Sequence, residues 1–128
     1  MQVILNGGLD NAGATLEQLP SFAGVMIGRA AYRTPMILAD LAAPVFGREV
    51  PARLQIAGAM ADYADRRTAE GVPLHAITRH MLGLYHGQRG ARLWRRYLGE
   101  EARNRRDGGA LIREVAAACE EMAARLAA

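Results

Sequence analysis

The sequence predicts two regions of different class: parallel α/β material over residues 1–47 and an all-helical stretch over 48–128. Three observations predict this. Gln2-Val3-Ile4-Leu5 and Gly24-Val25-Met26-Ile27 are short apolar runs, each closed by a glycine turn, as in buried parallel strands. Beyond residue 48, apolar residues recur at helical spacing instead. Basic charge gathers inside that second stretch: His75 to Arg106 holds eight arginines against two glutamates.

In chain order, the first run is followed by the turn Asn6-Gly7-Gly8. Thr15 to Leu19 suggests a short helix, stopped before Pro20. The second run ends at Gly28-Arg29, and a helix is expected near Pro35 to Ala43. Strand, loop, helix, repeated once, is the pattern of a parallel α/β fold. Pro51 suits a helix start, and Ile56, Met60 and Tyr63 recur at i, i+4, i+7 until Gly71. Leu74, Ile77, Met81, Leu84 and Tyr85 predict a second helix, ending near Gly87. A third is expected from about Ala91 to Asn104, broken by Asp107-Gly108-Gly109. Leu111, Ile112, Val115, Cys119, Met122 and Leu126 form the last stripe. Four helices with short links predict a small bundle.

Two buried parallel strands cannot cover both faces of a sheet without neighbours. The first region is therefore expected to be the end of a larger domain, and the chain a fragment or the product of a late start codon.

With 51% apolar and 23% charged residues the 128-residue chain reads as globular. No apolar run reaches the roughly 18 residues of a membrane span, and Met1 to Gly8 lacks the basic and apolar regions of a secretion signal. One cysteine, Cys119, excludes an internal disulfide and suits a reducing cytoplasm. All 16 basic residues are arginine, so a catalytic lysine cannot come from this chain. Genome composition can bias a chain toward arginine, so distribution says more than count. Outside residues 75–106, eight arginines face eleven acids. The basic concentration is the footprint of a polyanion-binding surface.

That surface has a geometry. On a helix at about 100° per residue, with Arg92 at zero, Arg96 falls at about 40°, Arg89 at about 60° and Arg95 at about −60°. Leu93, Trp94, Tyr97 and Leu98 cover about 100° to 240°. One side docks on a core and the other presents guanidinium groups, whose planar donors bind two phosphate oxygens at once. The plain alternative is a solvated face partnered by Glu100 and Glu101. Trp94 either stacks on a base or anchors the core, the usual fate of tryptophan.

Both glycine turns sit after a strand and before a helix, where the last loops of a (β/α)8 barrel commonly bind phosphate. Gly7, Gly8, Gly28 and Arg29 together would make a clamp: glycines admit the phosphate to the backbone, and Arg29 adds a forked donor. Glycines after strands are usually ordinary turn chemistry, so each turn alone is weak evidence, and Asn6 reads as a loop-orienting residue, a cofactor contact or a plain Asx-turn. His75, His80 and His86 invite a metal reading, but His80 points about 140° away from His75 on a helix. No cysteine or carboxylate completes a ligand set. Cys119 lies on an apolar stripe, where free cysteine behaves as a small hydrophobe.

ILNGGL over residues 4–9, GVMIGRAAY over 24–32 and TRHMLGLYHGQRGARLWRRYL over 78–98 resemble the C-terminal part of tRNA-dihydrouridine synthases, nearest to the A subfamily. The resemblance covers essentially the whole chain. Its most specific part is Arg79 to Leu84 with Gly90-Ala91-Arg92 and Trp94-Arg95-Arg96. It implies an FMN-binding (β/α)8 TIM barrel followed by a helical tRNA-binding domain. Residues 1–47 would be the last strand–helix units of that barrel, incomplete here, and 48–128 the helical domain. The implied enzyme reduces the 5,6 double bond of D-loop uridines, at positions 20/20a, and NADPH reloads the flavin. Asn6, Gly7 and Gly8 match the family's first flavin-phosphate loop, and Gly28 and Arg29 the second. Arg92 and Arg95 match tRNA-contacting arginines, with Arg89 and Arg96 beside them. Arg89 departs from the family, which usually has proline there; the change either adds a phosphate contact or loosens the turn.

The resemblance places the general-acid cysteine, and a flavin-contacting lysine and histidine, upstream of the matched segment. The 128-residue chain alone is therefore expected to give no turnover with unmodified tRNA. Its implied partners are tRNA and the upstream barrel. Two rivals are a non-catalytic RNA-binding module that holds no FMN, and the end of another FMN-dependent barrel oxidoreductase.

Overall fold

The structure, a computed structural model, describes residues 1–127. The chain divides into two compact units, Met1–Val50 and Pro51–Ala128.

In the first unit, strand β1 (Ile4–Asn6) pairs in parallel with β2 (Gly24–Met26), Asn6 lying opposite Met26. Between them runs helix α1 (Ala12–Gln18), started by Asn11, whose Oδ1 accepts the Ala14 N–H at 2.8 Å. Thr15 in α1 is fully buried and its hydroxyl donates to the Asn11 carbonyl. After β2 come α2 (Arg29–Arg33) and α3 (Met36–Phe46), which buries Met36, Ile37 and Leu41. Gly47, with a left-handed φ of 64°, ends α3.

The first unit departs from the sequence expectation in three ways. β1 begins at Ile4, two residues late, and Asn6 is its last residue and not part of the turn. The strands are not buried: Ile4 is 64% and Met26 55% exposed, because a sheet of two strands leaves apolar side chains without cover. Helix α2 was not anticipated. It forms because Ala30 and Ala31 favour helix, and it stops where Thr34 turns extended ahead of Pro35.

The second unit is helical. It contains α4 (Arg53–Ala69), α5 (Leu74–Thr78), α6 (Ala91–Gly99), a 3-10 turn (Glu101–Arg103) and α7 (Ala110–Ala127). The Gln55 side chain accepts the Ala52 N–H at 2.9 Å, satisfying a donor at the start of α4. Leu111, Ile112, Val115, Ala116 and Cys119 of α7 are buried, with Trp94 and Leu98 of α6 and Ala57, Ala61 and Ala64 of α4. The buried stripe of α4 is therefore one residue off the expected Ile56, Met60, Tyr63. The cause is close approach: a Cβ on Gly109 would overlap the Ala61 carbonyl, so only small residues fit where α4 meets α7. Met122 and Leu126 are exposed where α7 runs past its partners.

Between α5 and α6 the expected helix to Gly87 is replaced by consecutive tight turns. His80, Met81, Leu84, His86, Gln88 and Ala91 each donate their N–H to the carbonyl three residues back. Neighbouring side chains claim backbone here: the Trp94 indole N–H donates to the Met81 carbonyl at 2.8 Å. The turns nevertheless bury the predicted residues, Met81, Leu84 and Tyr85 included. The apolar pattern marks the buried side chains correctly while the backbone takes a shorter path.

Candidate functional site

The first candidate site is the turn pair of the first unit. Because β1 and β2 are parallel with Asn6 opposite Met26, the turns that follow leave the same edge of the sheet. Gly7 and Gly8 have φ of 104° and 70°, a conformation that glycine adopts at little cost. A Cβ at Gly7, Gly8 or Gly28 would meet nothing within 4 Å, so the backbone there is open to approach. Gly28 caps α2 and Arg29 is its first residue, exposed and without an ion pair among the described residues. Open glycine backbone and a free guanidinium at one sheet edge fit a phosphate. Asn6 makes no side-chain hydrogen bond among the described residues, so the Asx-turn is not formed; Asn11 is the residue that caps a helix.

The second candidate site is α6 and its approach. Gly90 starts the helix with a left-handed φ of 84°, and a Cβ there would sit 2.9 Å from the Cys119 Sγ. This contact locks the N-terminal end of α6 onto α7. Trp94 is fully buried, with its ring centroid 4.7 Å from that of Tyr85. Its indole N–H is already used by the Met81 carbonyl, so the base-stacking reading of Trp94 is overturned. Thr78 ties α5 to the same helix, its hydroxyl donating to the Leu98 carbonyl at 2.7 Å.

With Trp94 and Leu98 inward, Arg92, Arg95 and Arg96 are exposed on the other side. Neither Glu100 nor Glu101 pairs with any of them; among the described residues the ion pairs lie elsewhere. Arg96 instead lies 5.7 Å from the centroid of the Tyr97 ring. Arg89 is also exposed, but it lies in the turn before α6, so its projected place on the helical arc is corrected.

The remaining candidates resolve simply. Cys119 is fully buried, its S–H facing the Gly90 carbonyl at 3.5 Å, and burial pushes its thiol above the usual range. A reactive thiol needs the opposite setting. His75, His80 and His86 are exposed, and His80 accepts a hydrogen bond from the Arg79 Nε at 3.1 Å. Among the described residues no three metal-ligating side chains come together. No helix among them is long and apolar enough to cross a membrane.

Residues 1–123 match the family described as Dihydrouridine synthase (Dus). The chain belongs to the dihydrouridine synthase family. It groups with the A subfamily, the 20/20a synthases. It is 38% identical over 128 residues to a tRNA-dihydrouridine(20/20a) synthase of Xanthomonas campestris, which aligns to all of this chain and 38% of that protein. To the Vibrio cholerae protein of the same name it is 39% identical over 104 residues, 80% of this chain and 32% of that one. A Salmonella typhi synthase is 43% identical over 100 residues, 77% and 30% of the two chains. The chain thus spans about a third of the length of these curated relatives.

Sequence reasoning about this dihydrouridine synthase segment missed one network and one cleft. Asp65 of α4 accepts the Gly109 N–H at 2.6 Å and, through Oδ2, the Arg113 guanidinium at 2.7 Å, fixing the start of α7 on α4. Those bonds, the Gly109 one foremost, hold the Asp65 carboxyl below the usual carboxylate range. No short motif announces a carboxylate that serves a backbone N–H 44 residues away. The cleft involves Arg103 and Arg106; its signal was the Arg-Asn-Arg-Arg run, which the expected long helix absorbed.

Proposed function

We propose that this chain supplies the flavin-anchoring turns and the tRNA-docking surface of a tRNA-dihydrouridine(20/20a) synthase acting in the cytoplasm. Residues 1–47 serve as the last strand–helix units of an FMN-binding TIM barrel, and residues 48–128 as the helical tRNA-binding domain. The observation that carries this reading is the split face of α6: Trp94 is locked inward while Arg92, Arg95 and Arg96 stand free of carboxylates, in a member of this family.

When bound, FMN supplies the hydride that saturates the uracil 5,6 bond, with a proton completing the reduction and NADPH restoring the reduced flavin. The chain's own contribution is positional. Gly7, Gly8 and Gly28 let backbone approach the flavin phosphate, Arg29 neutralises its charge, and Asn6 stands at the end of β1 beside that turn. Arg92 and Arg95, with Arg89 and Arg96 beside them, hold tRNA phosphates and so set the register of the substrate. Cys119 takes no part, since its thiol is enclosed.

The flavin half is tested by absorbance of the purified protein with FMN, wild type against Arg29→Ala. Retained flavin that falls in the variant supports the reading. Retention unaffected by Arg29→Ala contradicts its role, and a protein that binds tRNA but never FMN is the non-catalytic RNA module instead. For the 128-residue chain alone, flavin reoxidation by unmodified tRNA is expected to be absent.

A further inference from the structure

The second unit holds another gathering of positive charge outside the α6 arc. A cavity of about 340 Å³ opens between the α4–α5 turn and the segment that follows α6. Gly71 and Val72 line one side, Arg103, Arg105 and Arg106 the other, with His75 of α5 beside them. No carboxylate lines it. The volume lies at the lower end of the roughly 300–1,000 Å³ range of ligand pockets.

The three arginines are not equivalent. Arg105 is held by Asp107, its Nε donating to Oδ1 at 2.8 Å and its Nη2 to the other oxygen, and it also reaches Glu114 at 3.2 Å. Its charge is spent on fixing the turn ahead of α7. Arg103 and Arg106 are exposed and have no ion pair among the described residues. Two exposed arginines bind a free anion weakly. A polyanion already held on α6 differs, because its next phosphates arrive at high effective concentration. The chain supports that continuity: Arg96 and Arg103 are seven residues apart, and α6 packs on the 3-10 turn that carries Arg103. A concave wall of one charge sign also focuses the field.

We propose that this cleft is a second phosphodiester site, in which Arg103 and Arg106 hold a backbone phosphate of an RNA docked on α6. The proposal rests on the tRNA reading of the α6 arc.

The test is tRNA affinity of the protein as a function of salt, comparing Arg103→Ala/Arg106→Ala with Arg92→Ala/Arg95→Ala. The cleft variant is expected to weaken binding about tenfold at low salt. The log–log salt slope should become shallower by about one unit for each arginine that meets a phosphate. Arg103→Lys/Arg106→Lys should recover most of the slope, as the charge is kept. Both side chains are exposed, so the melting temperature should not move. Unchanged affinity and slope in the cleft variant, with loss in the α6 variant, overturns the cleft and leaves the tRNA reading standing. No effect from either pair removes both. Inorganic phosphate bound by wild type and lost in the cleft variant, with tRNA slope unchanged, makes this a free-anion site and also overturns the proposal.

Discussion

Trp94 and Arg95 are neighbours in sequence with opposite fates, and the register of α6 decides which faces the core. Trp94 combines full burial with a satisfied indole N–H. Trp94→Ala should therefore cost about 3–5 kcal/mol in denaturant unfolding. Trp94→Phe, which keeps an aromatic ring but removes the indole donor and leaves the Met81 carbonyl only the Leu84 N–H, should cost about 0.5–1.5 kcal/mol. A loss below 0.5 kcal/mol for the alanine variant, roughly the level of a surface substitution, would contradict the core assignment. Asp65 supports a pH prediction. Its carboxyl is depressed in the folded state by Gly109 and Arg113. Its stabilisation is thus present above the unfolded value of about 3.9 and is lost as pH falls through the lower folded value. Asp65→Asn should be less stable near neutrality, with the gap to wild type closing below about pH 4. Thermal unfolding across pH 2–7 reads this directly, and a gap independent of pH would refute it. At this scale the sequence identified the outward arginines and favoured a core place for Trp94 over base stacking, as its burial bears out. Its buried partner, the Met81 carbonyl, belongs to a turn that periodicity does not reveal.

Among the elements, what was legible is what apolar spacing controls. The strand–helix alternation of the first unit and the helical character of the second follow from period and punctuation, and Gly71 separates helices as expected, whereas the third helix ends at Gly99 and a 3-10 turn replaces its expected stretch to Asn104. What was not legible depends on partners distant in sequence. The α4 stripe shifts by one residue because Gly109 meets the Ala61 carbonyl, a contact 48 residues apart. The helix expected to Gly87 ends at Thr78 because α6 recruits the chain through Thr78 and Trp94. The α4–α7 approach makes a prediction of its own. Ala61→Leu should destabilise the protein by about 1–3 kcal/mol through overpacking, whereas Ala59→Leu, exposed on the same helix, should be nearly neutral. Equal melting temperatures for the two variants would contradict the close contact.

For the whole molecule, the proposed function gives the two units separate tasks, one carried by glycine turns at one edge of a parallel strand pair and one by an arginine face on a helical core. The family resemblance was legible because its motifs are long, and residues 1–123 match that family. The glycine turns and the exposed arginines proposed to hold phosphates were legible as residue types at telling places. Their relation to local backbone was not, as Arg89 in its turn and Asn6 in its strand illustrate. If the tasks are separate, Arg29→Ala should lower flavin retention and leave tRNA affinity unchanged, while Arg92→Ala/Arg95→Ala does the reverse. Loss of both properties in either variant would contradict the division. The central claim, that the free face of α6 docks tRNA through phosphates, is tested most directly by tRNA affinity across a salt series. Wild type should show a steep decline with salt, and Arg92→Ala/Arg95→Ala a weaker affinity with a slope shallower by about two units. Identical affinity and slope for the two proteins would contradict it.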